Sequence, residues 1–421
     1  VRLAYATGSE PDGVLLVRCG NRREAVCRSC GAERKGDAYQ LVKAGLVGGK
    51  GVPASVGSHP KLFVTLTAPS FGAVHTRVAK GKNVDVCHPR HGHCPHGRPL
   101  GCFKRHVPGQ DCLGQAICPE CFDYRALVVW NARAPELWRR TRMEFDRAVA
   151  RVVGMSRSKC GELVRVQFIK VGEYQGRGAV HFHALIRLDA RPPESDPDAV
   201  APPPALFTLD VLEQAVDQAI RTTTVPCPPA TRISEVGWGT AQIDRLRGRG
   251  PGELTHEAVA SYISKYATKG TEGFGARLER RLSAVDIERL DASPHVQRIV
   301  RACWDLGGQP ELEELRLREW AHCLGFGGHW LTKSGRYSTT FKACRRERRV
   351  VARQRRFEGG VPLDAFGRRE DEDQVVVLAE WTYKGSGYQT QAERWLALSA
   401  AARARERREA AREAVREAAN E

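Results

Sequence analysis

Apolar and polar positions alternate along Lys61–Ala68 (KLFVTLTA), and period two with Phe, Val and Thr predicts a strand. Val164–Tyr174 and Ala179–Asp189 read the same way. Between them, Gln175-Gly176-Arg177-Gly178 predicts a hairpin with glycine in its turn. The period then moves toward 3.6. Residues 122–153 set Trp130, Leu137, Trp138, Met143 and Phe145 at helical spacing, and 209–222 predicts a second helix. Trp238–Leu246 is a further strand candidate. Thr255 stands as an N-cap with Glu257 in the first turn, so a helix is expected from there to Lys269, stopping at Gly270. Leu278–Leu324 reads as mostly helical, and 400–421 as a charged Ala/Arg/Glu helix without an apolar stripe. Residues 1–60 read as loop-rich around one tight knuckle, Cys27-Arg-Ser-Cys30. Pro-rich Ala190–Ala205 can form neither a helix nor a central strand and reads as a linker.

The pattern describes an α+β chain with an antiparallel hairpin and further strands, a zinc-binding module and a helical C-terminal region. Its expected parts are a zinc-knuckle region at 1–60, a core at 61–275, a mainly helical region at 276–399 and a charged tail at 400–421. The core would contain a Cys/His-rich insertion at about 80–121 and the linker at 190–205. At 421 residues and 42% hydrophobic content, two or three domains with real cores are expected. No stretch nears the roughly 20 apolar residues that cross a bilayer, and no charged-then-apolar leader is visible. The expectation is a cytoplasmic protein with no membrane partner. A net charge of +17 turns attention to a polyanionic partner, nucleic acid first.

Cysteine changes the picture further. Nine of the 14 cysteines fall within the first 121 residues, which points to metal rather than disulfides in a cytosolic protein. Cys27-x-x-Cys30 and Cys118-x-x-Cys121 each have knuckle spacing, and the two pairs are candidates to share one Zn²⁺. Cys19, Cys87, Cys94, Cys102 and Cys112 are candidates for a second site, with His88, His91, His93, His96 or His106 in reserve. Spacing alone leaves the pairing open.

On the second hairpin strand, Val180, Phe182, Ala184, Ile186 and Leu188 face one way and His181 and His183 the other. Two neutral imidazoles side by side can hold one divalent cation, and Glu173 across the hairpin can add a hard oxygen. Two nitrogens and one oxygen leave positions open for phosphate and water, as a catalytic metal requires.

The helix around Tyr262-Ile-Ser-Lys265-Tyr266 forms a second constellation. Taking Tyr262 as zero, Tyr266, Lys269 and Lys265 fall at roughly +40°, −20° and −60°. Two phenols and two ammonium groups thus share one face. Val259, Ile263 and Ala267 form a neighbouring apolar stripe. A phenol is a weak nucleophile at neutral pH, and nearby lysines are expected to favour its phenolate and to hold a DNA backbone. Lys269, and Arg177 in the hairpin turn, are the basic candidates for DNA contact.

These pieces, in this order, resemble the HUH endonuclease superfamily as its rolling-circle initiators arrange them. The resemblance rests on Phe63-Val-Thr65-Leu-Thr67, on Glu173 with His181-Phe-His183, and on Tyr262-Ile-Ser-Lys265-Tyr266. Cys19-Gly-Asn-Arg-Arg, Thr67-Ala-Pro-Ser-Phe-Gly, Val171-Gly-Glu-Tyr-Gln and Trp330-Leu-Thr-Lys-Ser-Gly-Arg-Tyr337 are similar to segments of actinobacterial conjugative-plasmid replication initiators. Gly335 departs from that family's more basic segment. The resemblance implies a small antiparallel sheet with helices on one face and metal and tyrosines over the other. It implies catalytic Mg²⁺ or Mn²⁺, a 5′-phosphotyrosyl intermediate and a freed 3′-hydroxyl primer. Thr65 and Thr67 would lie beside the histidine strand and contact DNA. The implied partners are plasmid origin DNA, single-stranded or cruciform, with host helicase and polymerase in trans, since no Walker-type loop is present. A two-tyrosine transposase of the same class and a non-catalytic zinc-containing DNA-binding protein remain the alternatives.

Overall fold

The computed structural model describes residues 6–9, 13–15, 17, 19–81, 83–196, 198–246, 255–270, 278, 281–356, 380, 382–385, 387–388 and 390–417. In chain order the elements are α1 (Arg28–Val47), β1 (Lys61–Leu66), β2 (Ala79–Lys80), β3 (Asn83–Val84), α2 (Tyr124–Val152), α3 (Arg157–Leu163), β4 (Val164–Tyr174), β5 (Val180–Ala190), α4 (Leu209–Thr222), β6 (Thr224–Pro226), β7 (Glu235–Gly237), β8 (Ala241–Arg245), α5 (His256–Tyr266), α6 (Ala284–Glu288), α7 (Pro294–Leu306), β9 (Leu331–Lys333), α8 (Phe341–Arg356) and α9 (Gln391–Glu417). The chain divides into two compact units, one of Ala38–Thr340 and one of Val1–Asp37 with Phe341–Glu421. In the latter, the Arg34 guanidinium lies 3.3 Å over the Phe341 ring and Arg348 pairs with Asp37.

The larger unit is built on a five-stranded sheet in the order β8-β1-β5-β4-β9, antiparallel at every pairing. Alternation dictates what each face does. Leu62, Val64 and Leu66 of β1 and Val180, Phe182, Ala184, Ile186 and Leu188 of β5 join one apolar core with Leu127, Trp130, Trp138 and Phe145 of α2 and Leu212 and Val216 of α4. Phe182 is wholly buried, with ring centroids of Trp238 at 5.8 Å, Phe326 at 6.0 Å and Trp138 at 6.2 Å. Cutting it to alanine is expected to cost about 3–5 kcal/mol. Side-chain caps start the flanking helices: Asp123 for α2, Ser156 for α3 and Thr208 for α4.

Several expectations need correction. The loop-rich reading of 1–60 is wrong for Arg28–Val47, a 20-residue helix. Three interior glycines, Gly31, Gly36 and Gly45, and weak amphipathicity hid it, while packing of Ala38, Leu41, Val42 and Leu46 stabilises it. Gly45 is required there, because a Cβ would come within 2.2 Å of the Tyr337 ring. The sheet's second face is therefore not free of helices away from the tyrosines. Residues 38–47 of α1 cover one end of it, where the Arg187 guanidinium donates to Gly45 O at 2.6 Å and pairs with Asp189, which also holds His59 Nδ1 at 2.7 Å. Within Leu278–Leu324, α6 and α7 are followed by short 3₁₀ turns at Pro310–Leu315 and Ala321–Cys323, since Gly307, Gly308 and Pro310 interrupt the helix. The last helix starts at Gln391 rather than near 400.

Lys170, opposite Ala184, is a cation on the core face. Lys170 Nζ donates to His329 O at 2.9 Å and lies 4.1 Å from the Phe182 ring centroid. Burial draws its pKa down to about 7, against about 10.4 in an unfolded chain. Between those values the unfolded state binds more protons, so the destabilisation is complete below about pH 7 and fades as pH climbs toward about 10. Lys170→Met should therefore gain most, relative to wild type, at about pH 6 and least at about pH 9. Urea denaturation at both pH values checks this; the same gap at both would contradict it.

Candidate active site

The register of three strands assembles the first part of the site. β4 sets Glu173 directly opposite His181, and β1 sets Thr65 directly opposite His183. The two imidazole centroids are 4.5 Å apart. Glu173 Oε2 lies 3.2 Å from His181 Nε2 and 3.5 Å from His183 Nε2. These separations approach the edge of roughly 3 Å between neighbouring ligands around a small octahedral cation. Thr65 Oγ1, 3.1 Å from His183 Nδ1, ties the far side of that ring so that Nε2 faces Glu173. His181 Nδ1 is buried with no hydrogen-bond partner. The donor set of two imidazole nitrogens and one carboxylate oxygen thus suits a divalent cation with open positions.

The electrostatics agree. Burial by itself pushes the Glu173 carboxyl up, but hydrogen bonds from His181 and His183, with the charges of His181 and Lys269, prevail and hold it at about 2. Burial draws His183 down against the opposing pull of Glu173, which favours the neutral ring that ligates metal.

α5 brings the tyrosines over this group. Thr255 caps it, and Val259, Ala260 and Ile263 are buried. Tyr262 Oη lies 3.2 Å from His183 Nε2. Tyr266 packs with its ring 5.7 Å from His183 and 4.7 Å from Tyr262. Tyr262 is 38% exposed and Tyr266 only 8%, so Tyr262 is the more accessible phenol. Phe63 backs His183 and Tyr262, stacked 5.8 Å from the first and edge-on 6.0 Å from the second.

The lysines are arranged differently from expectation. α5 ends at Tyr266, and Lys269 N closes a turn onto Tyr266 O at 3.2 Å. Lys269 nevertheless reaches the site, with Nζ 3.8 Å from Glu173 Oε1 and 4.7 Å from the Tyr266 ring centroid. Lys265 is exposed, with Nζ 5.7 Å from the same centroid. Neither lowers the phenols. Burial raises both, and the Glu173 charge adds to it.

Thr67 lies one residue beyond β1, bonded through its backbone to Thr240 and Gly239. Arg177 is engaged inside the fold: its guanidinium donates to Pro69 O at 2.7 Å and Ala68 O at 2.8 Å, fastening the hairpin turn to the chain leaving β1. A cleft of about 1000 Å³ opens beside that turn, lined in part by Arg77, Arg90 and Gly176. Its lining does not include Tyr262 or Tyr266.

The cysteines sort into three groups that can hold a metal such as zinc: Cys19, Cys27 and Cys30; His75, Cys87, Cys102 and His106; and Cys94, His96, Cys118 and Cys121. Each knuckle finds its partners within its own unit: Cys27 and Cys30 with Cys19, and Cys118 and Cys121 with Cys94 and His96. Of the cysteines expected in a second site, Cys87 and Cys102 meet, joined by His106 from the reserve, while Cys94 goes with the Cys118–Cys121 knuckle and Cys112 joins none of the groups. His75 was not foreseen: it stands 12 residues before Cys87 in no spacing motif. His96 and His106 carried a signal, two after Cys94 and four after Cys102.

A family model described as "Replication initiator protein, pSAM2" (RepSA) matches residues 1–402. A replication initiator protein from Streptomyces ambofaciens is 40% identical over 392 residues, covering 91% of this chain and 79% of the relative. No solved structure matches the chain.

Removing the hydroxyl behind His183 should loosen the cation site without disturbing the sheet. Thr65→Val is expected to weaken Mn²⁺ binding by about 10- to 100-fold. Titration calorimetry on the full chain checks this, and wild-type affinity in the variant would contradict the positioning role of Thr65.

Proposed function

The chain belongs to the RepSA family of replication initiator proteins, and on that premise we propose that it starts rolling-circle replication by nicking one strand of its plasmid origin. The observation that carries this is the convergence of Tyr262 Oη, 3.2 Å from His183 Nε2, on the group of Glu173, His181 and His183. Nucleophile and cation ligands share one face, as attack on a phosphodiester requires.

Glu173, His181 and His183 would hold Mg²⁺ or Mn²⁺, which supplies Lewis-acid polarisation of the scissile phosphate. Zn²⁺ suits the sulfur-rich groups, where it would be structural. Thr65 keeps His183 oriented, and Lys269 offsets charge at Glu173. Tyr262 Oη attacks phosphorus, the phenol proton departs, and the displaced 3′-oxygen is protonated. The net change is an exchange of esters that leaves a 5′-phosphotyrosyl bond and a free 3′-hydroxyl primer, with no water consumed. Tyr266, its neighbour on the same helical face, would serve the second strand transfer that ends a round. Rejoining reverses the chemistry.

The exposed Lys265 and the arginines of the cleft beside the β4–β5 turn suit a DNA phosphate backbone, and the substrate would be the origin as a single strand or extruded cruciform. Unwinding and synthesis fall to host helicase and polymerase.

Two sets of variants test this on a labelled origin oligonucleotide. His181→Ala with His183→Ala should abolish cleavage while binding largely survives, and chelator should do the same to wild type. Undiminished cleavage in either case would remove the cation from the chemistry. Tyr262→Phe and Tyr266→Phe should each retain some single-turnover nicking, and the double variant none. Nicking by the double variant would refute tyrosine attack.

A further inference from the structure

We propose that residues 73–121 form a two-zinc module, one ion held by His75, Cys87, Cys102 and His106 and the other by Cys94, His96, Cys118 and Cys121, and that this module seats the β4–β5 turn from which Glu173 and His181 project.

The ligand spacings are those of tetrahedral zinc. Bonds of about 2.3 Å to sulfur and 2.0–2.1 Å to nitrogen give tetrahedron edges of roughly 3.8 Å between sulfurs and 3.5 Å between sulfur and nitrogen. In the Cys₃His group, Cys94 Sγ lies 3.6 Å from Cys118 Sγ, and His96 Nδ1 lies 3.3 Å from Cys121 Sγ and 3.8 Å from Cys118 Sγ. In the Cys₂His₂ group, Cys102 Sγ lies 3.5 Å from His106 Nε2, and Cys87 Sγ 3.9 Å from His75 Nδ1. A sulfur pair at 3.6 Å is no disulfide, whose bond is about 2.05 Å.

The surroundings orient the ligands. His106 is buried, and its other nitrogen, Nδ1, bonds Gln110 Oε1 at 2.7 Å, which fixes the tautomer with Nε2 free for metal. The backbone N–H of Thr76 donates to Cys87 Sγ at 3.2 Å, as suits a thiolate ligand. His88 Nδ1, 3.4 Å from Cys87 Sγ, falls outside the four-atom group.

Little else shapes this segment. Its strands β2 and β3 are two residues each. Among its described residues only Ala116 joins the main apolar core, with Val74 packed against it. So weak a core needs bracing from bound ions. The ligands interleave along the chain, 75 and 87, then 94 and 96, then 102 and 106, then 118 and 121, so each ion closes a loop that contains ligands of the other.

The module bears on the hairpin through Gly114. His75 N donates to Gln115 O at 2.9 Å and Gly114 N to His75 O at 2.8 Å, so the first ion's histidine holds Gly114 in place. Gly114, at φ +83°, abuts Gly176 so closely that a Cβ would fall 2.2 Å from Gly176 O. Gly176 is three residues after Glu173 and five before His181.

The test measures zinc and backbone exchange on the full chain without DNA, so it is independent of nicking. Cys102→Ser with His106→Asn, and separately Cys118→Ser with Cys121→Ser, should each lower zinc by one ion per chain relative to wild type. X-ray absorption of wild-type zinc guards against misfolded variants and should show mixed sulfur and nitrogen ligation. Hydrogen exchange should then show the amides of Gln175 and Gly178 opening about tenfold faster once chelator removes zinc, with those of α2 little changed. Tyr262→Phe with Tyr266→Phe should keep wild-type zinc and exchange. Unchanged zinc in both cysteine variants, or ligation by nitrogen and oxygen alone, overturns the sites. Hairpin exchange unaffected by zinc loss overturns the positioning role.

Discussion

Eleven consecutive residue pairs between β4 and β5 set the register on which the rest of the site depends. With that register, Glu173 faces His181, both histidines share a side, and Phe182 between them goes into the core. A slip of one residue would turn the imidazoles toward Trp138 and expose Phe182. The apolar face of the sheet therefore enforces the polar one. The aromatic packing around Phe182 is what keeps three ligand atoms within 4.8 Å of one another on the opposite side.

The same logic separates what was legible in the sequence from what was not. β1, β4, β5, β8, α4 and the start of α5 follow from period and caps, because their local pattern and their packing agree. α1 was missed since its three glycines and weak amphipathicity hide a helix that tertiary contact stabilises. β9, at three residues, is too short to show a period. The histidine pair and Glu173 were readable from alternation across a hairpin. The resemblance placed Thr65 beside the histidine strand, where β1 pairs with β5, but the Thr65 hydrogen bond to His183 and Phe63 as the wall behind that ring are side-chain contacts that no local pattern shows. Arg177 looked like a free cation in a glycine turn, but its guanidinium has two backbone carbonyls in reach. His75 lacked any spacing signal because its partner cysteines come from a chain that folds back on it.

The larger unit contains two kinds of side-chain group that could hold a metal ion. The group of Glu173, His181 and His183 has a hard oxygen, neutral nitrogens and open positions, and a phenol stands 3.2 Å from one ligand atom. The groups in residues 73–121 are rich in sulfur and closed at four ligands. The first arrangement suits exchange of a phosphate ester and the second suits bracing. Membership of a replication-initiator family is what connects the chain to the start of DNA replication.

The most direct measurement is peptide mapping of the wild-type protein after incubation with Mn²⁺ and a single-stranded oligonucleotide from its own origin. A nucleotide phosphate esterified to Tyr262, with a smaller share on Tyr266, is the expected result. A cleaved oligonucleotide with no adduct on either tyrosine would contradict tyrosine attack outright.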